Sequence, residues 1–252
     1  MPFTPSHAAA ALPARRLWPW LPLDALVIGT LSPDLQYLLV LAPRGKFGHT
    51  WPGLLFFCLP VSLAGWLIYR ALLRPALLPM VPPGLAGPDA DAAGRITPRI
   101  ARGAALAALV GAWTHVLWDG ITHVGGWGVR VFTALLEPAY ADHGLYLQWY
   151  SVLQHGSTLA GAGVVFAWLR HWLRAHPAEA RRFAPGQGGR LVRFAALLLA
   201  GALLAGVANV VRVHARGIEA TLGYGVVGAL SGLVATAVAY AAWHRLRAPP
   251  SG

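Results

Sequence analysis

The sequence predicts an all-α, polytopic membrane helical bundle of about six spans, with a broken or re-entrant first segment. Three observations carry this. Of 252 residues, 56% are hydrophobic and only 12% charged, about half the charge of an ordinary soluble protein. Long windows carry no formal charge, and residues 50–69, 103–118, 143–169, 194–211 and 220–243 each read as a spanning helix. Tryptophans mark the ends of these runs, at Trp18, Trp20, Trp51, Trp118, Trp149, Trp168, Trp172 and Trp243, where an amphipathic indole prefers the headgroup region.

The remaining candidate span, residues 17–43, has apolar composition but carries Asp24 and Asp34, with Pro19, Pro22 and Pro33 interrupting helical continuity. Pro33 disfavours helical geometry at Ser32, so a single straight helix is not expected there. Arg15 and Arg16 ahead of this stretch superficially resemble a signal peptide, yet Asp24 interrupts the apolar region and no convincing cleavage site follows. The segment is read as retained.

The whole chain reads as one integral membrane domain, 1–252, embedded in a lipid bilayer. With both termini cytoplasmic, fifteen of the 20 Lys and Arg residues fall inside; only Arg44, Lys46, Arg130, Arg212 and Arg216 fall outside. This is the positive-inside pattern, and it points to a bacterial inner membrane. The net charge of +11 is spread between apolar runs rather than gathered in a patch, which argues against nucleic acid. Residues 75–102, rich in proline and glycine, read as an irregular cytoplasmic linker. Residues 120–150, with Trp127, Phe132, Tyr140, Tyr146 and Trp149, read as an external loop or lid. Gly228-x-x-x-Gly232 would let two helices approach closely. Cys58, the one cysteine, lies within an apolar run and reads as packing. Oligomeric state is not encoded in any recognisable pattern.

Ionisable groups inside apolar runs are costly, so those retained are functional candidates. They are His7, Asp24, Asp34, His49, His115, Asp119, His123 and His155, with Asp24 the weakest. In the expected topology Asp34 ends the first span, His49 begins the second, His115 and Asp119 end the third, and His155 begins the fourth. All five then fall near the outer leaflet. His115 and Asp119 are four residues apart and share one helix face, where they could bind one cation; His123 joins them if the helix continues another turn. Imidazole and carboxylate together suit zinc, iron or manganese, and a shared carboxylate would suit two ions. The competing reading is that Asp119 merely orients His115 or caps a helix end. Ser32-Pro33-Asp34 sets a carboxylate in a stiff turn, and His7 follows a capping Ser6. His155 is equally a ligand, a general acid or a packing residue. His143, His171, His176, His214 and His244 lie in loops or at basic span ends, where solvated histidines are the default.

The order His7, Asp34, His49, His115-x-x-x-Asp119 resembles an uncharacterised bacterial multi-pass membrane family, the domain of unknown function 4184. The resemblance rests on the start Met1-Pro2-Phe3-Thr4-Pro5-Ser6-His7, on Ser32-Pro33-Asp34, and on Thr114-His115-x-x-Trp118-Asp119 with Thr122-His123. It covers most of the chain and implies membership and fold but no reaction. More remotely, the ligand order is similar to membrane-bound metal-dependent hydrolases and to zinc-dependent phospholipase C, which implies a hydrolytic metal site. That phospholipase group also uses a processed N-terminal amine and a later His-x-x-x-Glu, and neither Glu137 nor Glu179 has a histidine at that spacing.

The expected function is metal-dependent hydrolysis of a phosphoester or related bond in a lipid-linked or envelope substrate. His7, Asp34, His49, His115 and Asp119 would bind a divalent metal, zinc by ligand type, and His123 or His155 would protonate the leaving group. The alternative is a non-enzymatic membrane protein, a transporter or structural partner, in which the cluster serves folding. The two halves show no matching broken segments of the sort that inverted-repeat transporters carry.

Overall fold

The computed structural model describes residues 4–85, 96–142 and 145–247. Among these, six helical stretches are long and apolar enough to cross a membrane: Leu23–Val40, Trp51–Met80, Pro98–Val131, Trp149–Ala175, Gln187–Arg212 and Ile218–Arg247. The first has 18 residues, or about 27 Å at 1.5 Å per residue, close to the thickness of a hydrocarbon core. Most helices outrun the apolar windows that announce them. Residues 194–211, for example, lie within Gln187–Arg212, because backbone hydrogen bonding continues after the side chains turn polar.

The chain forms two compact units. One comprises Met1–Asp34, Lys46–Leu63 and Pro98–His171; the other comprises Leu35–Gly45, Ala64–Thr97 and Trp172–Gly252.

In the first unit, a 3₁₀ turn over Thr4–Ala10 leads into α1 (Ala11–Leu17) and then α2 (Leu23–Leu31). The first span breaks where the sequence places Pro33: Ser32–Asp34 forms a 3₁₀ turn, and helical geometry resumes in α3 (Leu35–Val40) of the second unit. The next span starts with α4 (Trp51–Gly53) and continues through a π segment, Leu54–Cys58, into α5 (Leu59–Ile68). In the second unit, a second π segment, Tyr69–Leu73, precedes α6 (Arg74–Leu77). Each wide turn stands just ahead of a proline, Pro60 or Pro75, which cannot donate to the carbonyl four residues back and crowds the preceding turn.

α7 (Pro98–Thr122) organises the first unit. Its buried residues Ala104, Ala107, Ala108, Gly111, Ala112, His115, Val116 and Asp119 recur at three- and four-residue intervals, so they form one stripe along the helix. The stripe is small and apolar at its start and turns to His115 and Asp119 near its end. α2 lies against it, and a Cβ on Gly111 would strike the Leu26 carbonyl, so only glycine allows this approach. Leu54, Cys58, Ala112 and Val116 form a fully apolar cluster, with Phe57 packed on it.

Beyond α7 come α8 (Trp127–Val131), a 3₁₀ turn over Thr133–Leu136, and an antiparallel hairpin of β1 (Pro138–Asp142) and β2 (Leu145–Gln148). The loop expected over 120–150 is therefore largely regular structure, and α9 (Trp149–Ala175) begins six residues later than the apolar window at 143. His143 lies outside the described residues.

The second unit is built on α10 (Gln187–Arg212) and α11 (Ile218–Arg247). Gly228 and Gly232 face the backbone of α10 at Ala205 and Gly201, where a Cβ would collide. Asn209, buried on α10, donates to the Leu41 and Tyr224 carbonyls at 3.1 and 2.8 Å. The linker expected over 75–102 is helical at both ends, through Met80 and from Pro98, with a 3₁₀ turn at Pro83–Leu85; residues 86–95 lie outside the described residues.

Candidate metal centre

Four elements of the first unit bring imidazoles and carboxylates together. Asp34 closes the 3₁₀ turn that Pro33 imposes, with Ser32 Oγ donating to the Gly29 carbonyl at 2.8 Å. His49 ends another 3₁₀ turn, Phe47–His49, whose Gly48 lies so close to the Pro33 carbonyl that a Cβ would clash. The two turns thus pack backbone to backbone, and their last residues meet. Cys58 Sγ donates to the Gly48 carbonyl at 3.3 Å, which gives this buried thiol a packing role.

His115 and Asp119 project from the end of the α7 stripe. His115 is 1% exposed, and its Nδ1 lies 2.7 Å from the Thr30 carbonyl. A carbonyl only accepts, so Nδ1 bears a hydrogen and Nε2 turns into the cluster. Nε2 lies 3.2 Å from Asp119 Oδ2 and 3.7 Å from Asp34 Oδ1. His49 Nε2 lies 3.3 Å from Asp34 Oδ1 and 3.4 Å from Asp119 Oδ2. One donor atom from each of Asp34, His49, His115 and Asp119 falls within 4.8 Å of the other three.

The other carboxylate oxygen of Asp119 faces two more histidines. His7 Nε2 stands 3.4 Å away and His123 Nδ1 3.6 Å away. His7 is placed by its 3₁₀ turn, with its ring stacked on His115 at 3.9 Å between centroids. Ser6 does not cap that turn; its Oγ donates to the Thr158 carbonyl of α9 at 2.9 Å. His7 Nε2 and Asp119 Oδ1 are both buried, and neither makes a hydrogen bond among the described residues. Such orphaned polar atoms are costly and mark a place for a further group.

His123 is held by its own helix, Nδ1 lying 3.2 Å from the Asp119 carbonyl, while the Gln154 amide nitrogen approaches its Nε2 at 3.4 Å. Gln154 was not singled out by sequence reasoning, although a buried amide within an apolar span satisfies the same rule that selected the histidines. Its neighbour His155 is exposed, one residue further round α9. Asp24 starts α2, its Oδ1 accepting from the Ala25 amide at 2.9 Å. His171 is exposed, and His176 Nδ1 donates to the Trp172 carbonyl at 2.8 Å.

Charge distinguishes the two histidines that lie outside the spans. Burial opposes a proton on His49, but hydrogen bonds to Asp119 and Asp34 and their negative charge outweigh it, raising the group to about 9. His7 is lowered to about 4, first by burial and then by His115 beside it. The carboxylate pair thus holds a proton on His49 when no other cation is present. His7 stays neutral.

The donor set suits a divalent cation. Two carboxylates and two neutral imidazoles balance a charge of two, so a buried site becomes electroneutral. Ligands about 2.1 Å from a tetrahedral ion stand about 3.4 Å apart, and the His-to-Asp separations of 3.2 to 3.7 Å bracket that figure.

The fold and this cluster define an all-α, multi-pass membrane protein with a buried His and Asp centre. Residues 1–242 match the family described as a domain of unknown function (DUF4184), and the chain belongs to that family. No curated protein and no solved structure matches the chain.

Proposed function

We propose that this protein is a membrane-bound, metal-dependent hydrolase that acts on a phosphoester or related bond. Asp34, His49, His115 and Asp119 hold zinc or a similar divalent metal, and His7 is a further ligand at the second oxygen of Asp119. One observation carries the reading: with Nδ1 committed to the Thr30 carbonyl, His115 turns Nε2 toward two carboxylate oxygens, and donor atoms of Asp34, His49, His115 and Asp119 converge within 4.8 Å of one another, as the ligands of one cation do. A bound cation would polarise the ester and supply hydroxide near neutral pH.

This chain's residues then handle protons. Hydrolysis joins a water oxygen to phosphorus and breaks the ester P–O bond; the proton that the water gives up is the one that the departing alkoxide receives. His123, half-buried at the rim and steadied by Gln154, is the group we assign to protonate the alkoxide. His155 would serve this role only by turning toward the rim. On the positive-inside pattern we read the centre as lying near the outer leaflet of a bacterial inner membrane, where lipid-linked or envelope esters would be at hand.

A second reading is favoured by the donor count. Four protein ligands complete a tetrahedral shell, which is the form of a structural site. Purified protein in detergent distinguishes these readings. Elemental analysis should find zinc or a similar metal in the wild type and in His171→Ala, and none in Asp119→Ala. Hydrolysis of an alkyl phosphate should follow the metal. Full metal with no hydrolysis of any ester supports the structural reading, and full metal in Asp119→Ala overturns both.

A further inference from the structure

A cavity of about 570 Å³ lies in the first unit between the Thr4–Ala10 turn, α7 and α9. That is the size of a small-molecule site, far above a packing void. His7 stands in its wall, and the opposite side of the same ring stack belongs to the metal centre, since His7 lies on His115 and faces Asp119. Cavity and centre therefore adjoin through one side chain.

The rest of the wall is apolar in chemistry as well as composition. Ala9, Leu117, Ile121, Ala160 and Val164 supply hydrocarbon. Four hydroxyls also line it, but each is spent. Ser6 donates to the Thr158 carbonyl, Thr114 to the Gly111 carbonyl, and Ser157 and Thr158 to the Gln154 carbonyl, at 2.7 to 3.2 Å. Trp118 Nε1 is likewise committed to Ser157 Oγ at 3.0 Å. A polar ligand would find no donor here.

The cavity is bounded by two helices long and apolar enough to cross a membrane, and Trp118 and Val164 in its wall are 40% and 49% exposed. A chain already in the bilayer can enter sideways without crossing water. We propose that the cavity receives one aliphatic chain of a membrane amphiphile, whose anionic ester head reaches past His7 to the Asp119 cluster. This rests on the hydrolase reading and gives it a substrate class: an amphiphile with a single-chain foot in the protein and the scissile ester at the metal. Chain burial would supply binding energy remote from the reacting bond, which an enzyme can use to position that bond.

The test uses hexadecyl phosphate bearing a diazirine at mid-chain and the full-length protein in lipid nanodiscs. On irradiation, label should appear at Leu117, Ile121 and Val164 and fall at least tenfold under excess unlabelled hexadecyl phosphate. Ala160→Trp should reduce it to a similar degree and Ala160→Phe by less, with metal content unchanged in both. Labelling that does not compete, or that merely equals that of the outward-facing Leu159 and Phe166, overturns the proposal and leaves the hydrolase reading intact. Complete intermolecular disulfide formation by Val164→Cys also overturns it, because a second copy would then fill the cavity. Competing label in a protein that purifies without metal supports the chain site while removing the hydrolytic reading.

Discussion

Asp119→Asn offers the sharpest test of the centre, because this one carboxylate faces four imidazoles, His115 and His49 through Oδ2 and His7 and His123 through Oδ1. The substitution keeps the shape and removes one negative charge, so a bound dication is left with one unit of uncompensated charge in a buried site. Structural zinc sites bind with an apparent 10 to 16 kcal/mol, so each of four ligands contributes on the order of 3 kcal/mol. The expected loss of zinc affinity is about a hundredfold. Competition against a chromophoric chelator at fixed pH measures it directly. A dissociation constant within threefold of wild type would remove Asp119 from the metal and leave it as a residue that orients His115.

Other outcomes follow from the same geometry. Metal must displace the proton on His49, whose group is raised to about 9, so zinc affinity should increase about tenfold per unit from pH 6 to 8; a flat profile would show that His49 is not displaced. In the metal-free protein that raised group contributes stability that is full below about 6.5 and is lost as pH rises through about 9; thermal unfolding in chelator across this window checks the sign. Gly111→Leu should cost about 1 to 3 kcal/mol or more through overpacking against α2 and should weaken metal binding, since it displaces the Thr30 carbonyl that orients His115; unaltered stability would refute the close-approach account. Cysteines introduced at Asp142 and Arg182 should be labelled from outside and inside respectively, and exclusive external labelling at Arg182 would invert the topology and move the centre to the cytoplasmic side.

Membrane character and span number were legible because they depend on local composition. A window of apolar residues has the same preference for lipid whatever its neighbours do, and Pro33 forces a break wherever the chain goes. The pairing of His115 with Asp119 was likewise local, since spacing on one helix fixes a shared face. Helix ends were less legible: residues 143–148 look as apolar as the span that follows, yet β2 pairs with β1, and pairing is a property of two segments.

What the sequence by itself determined is therefore the solvent, the spans and the list of costly buried groups. Only the tertiary structure decided which of those groups meet. Asp34 and His49 are joined because Gly48 lets two 3₁₀ turns touch, and His115 is aimed because a carbonyl of α2, 85 residues away in sequence, takes its Nδ1 proton. Gln154 rather than His155 approaches His123, a choice made by the rotation of α9 against α7. Residues adjacent in sequence differ by about 100° around a helix, so composition can name both candidates, but only packing decides which one faces inward.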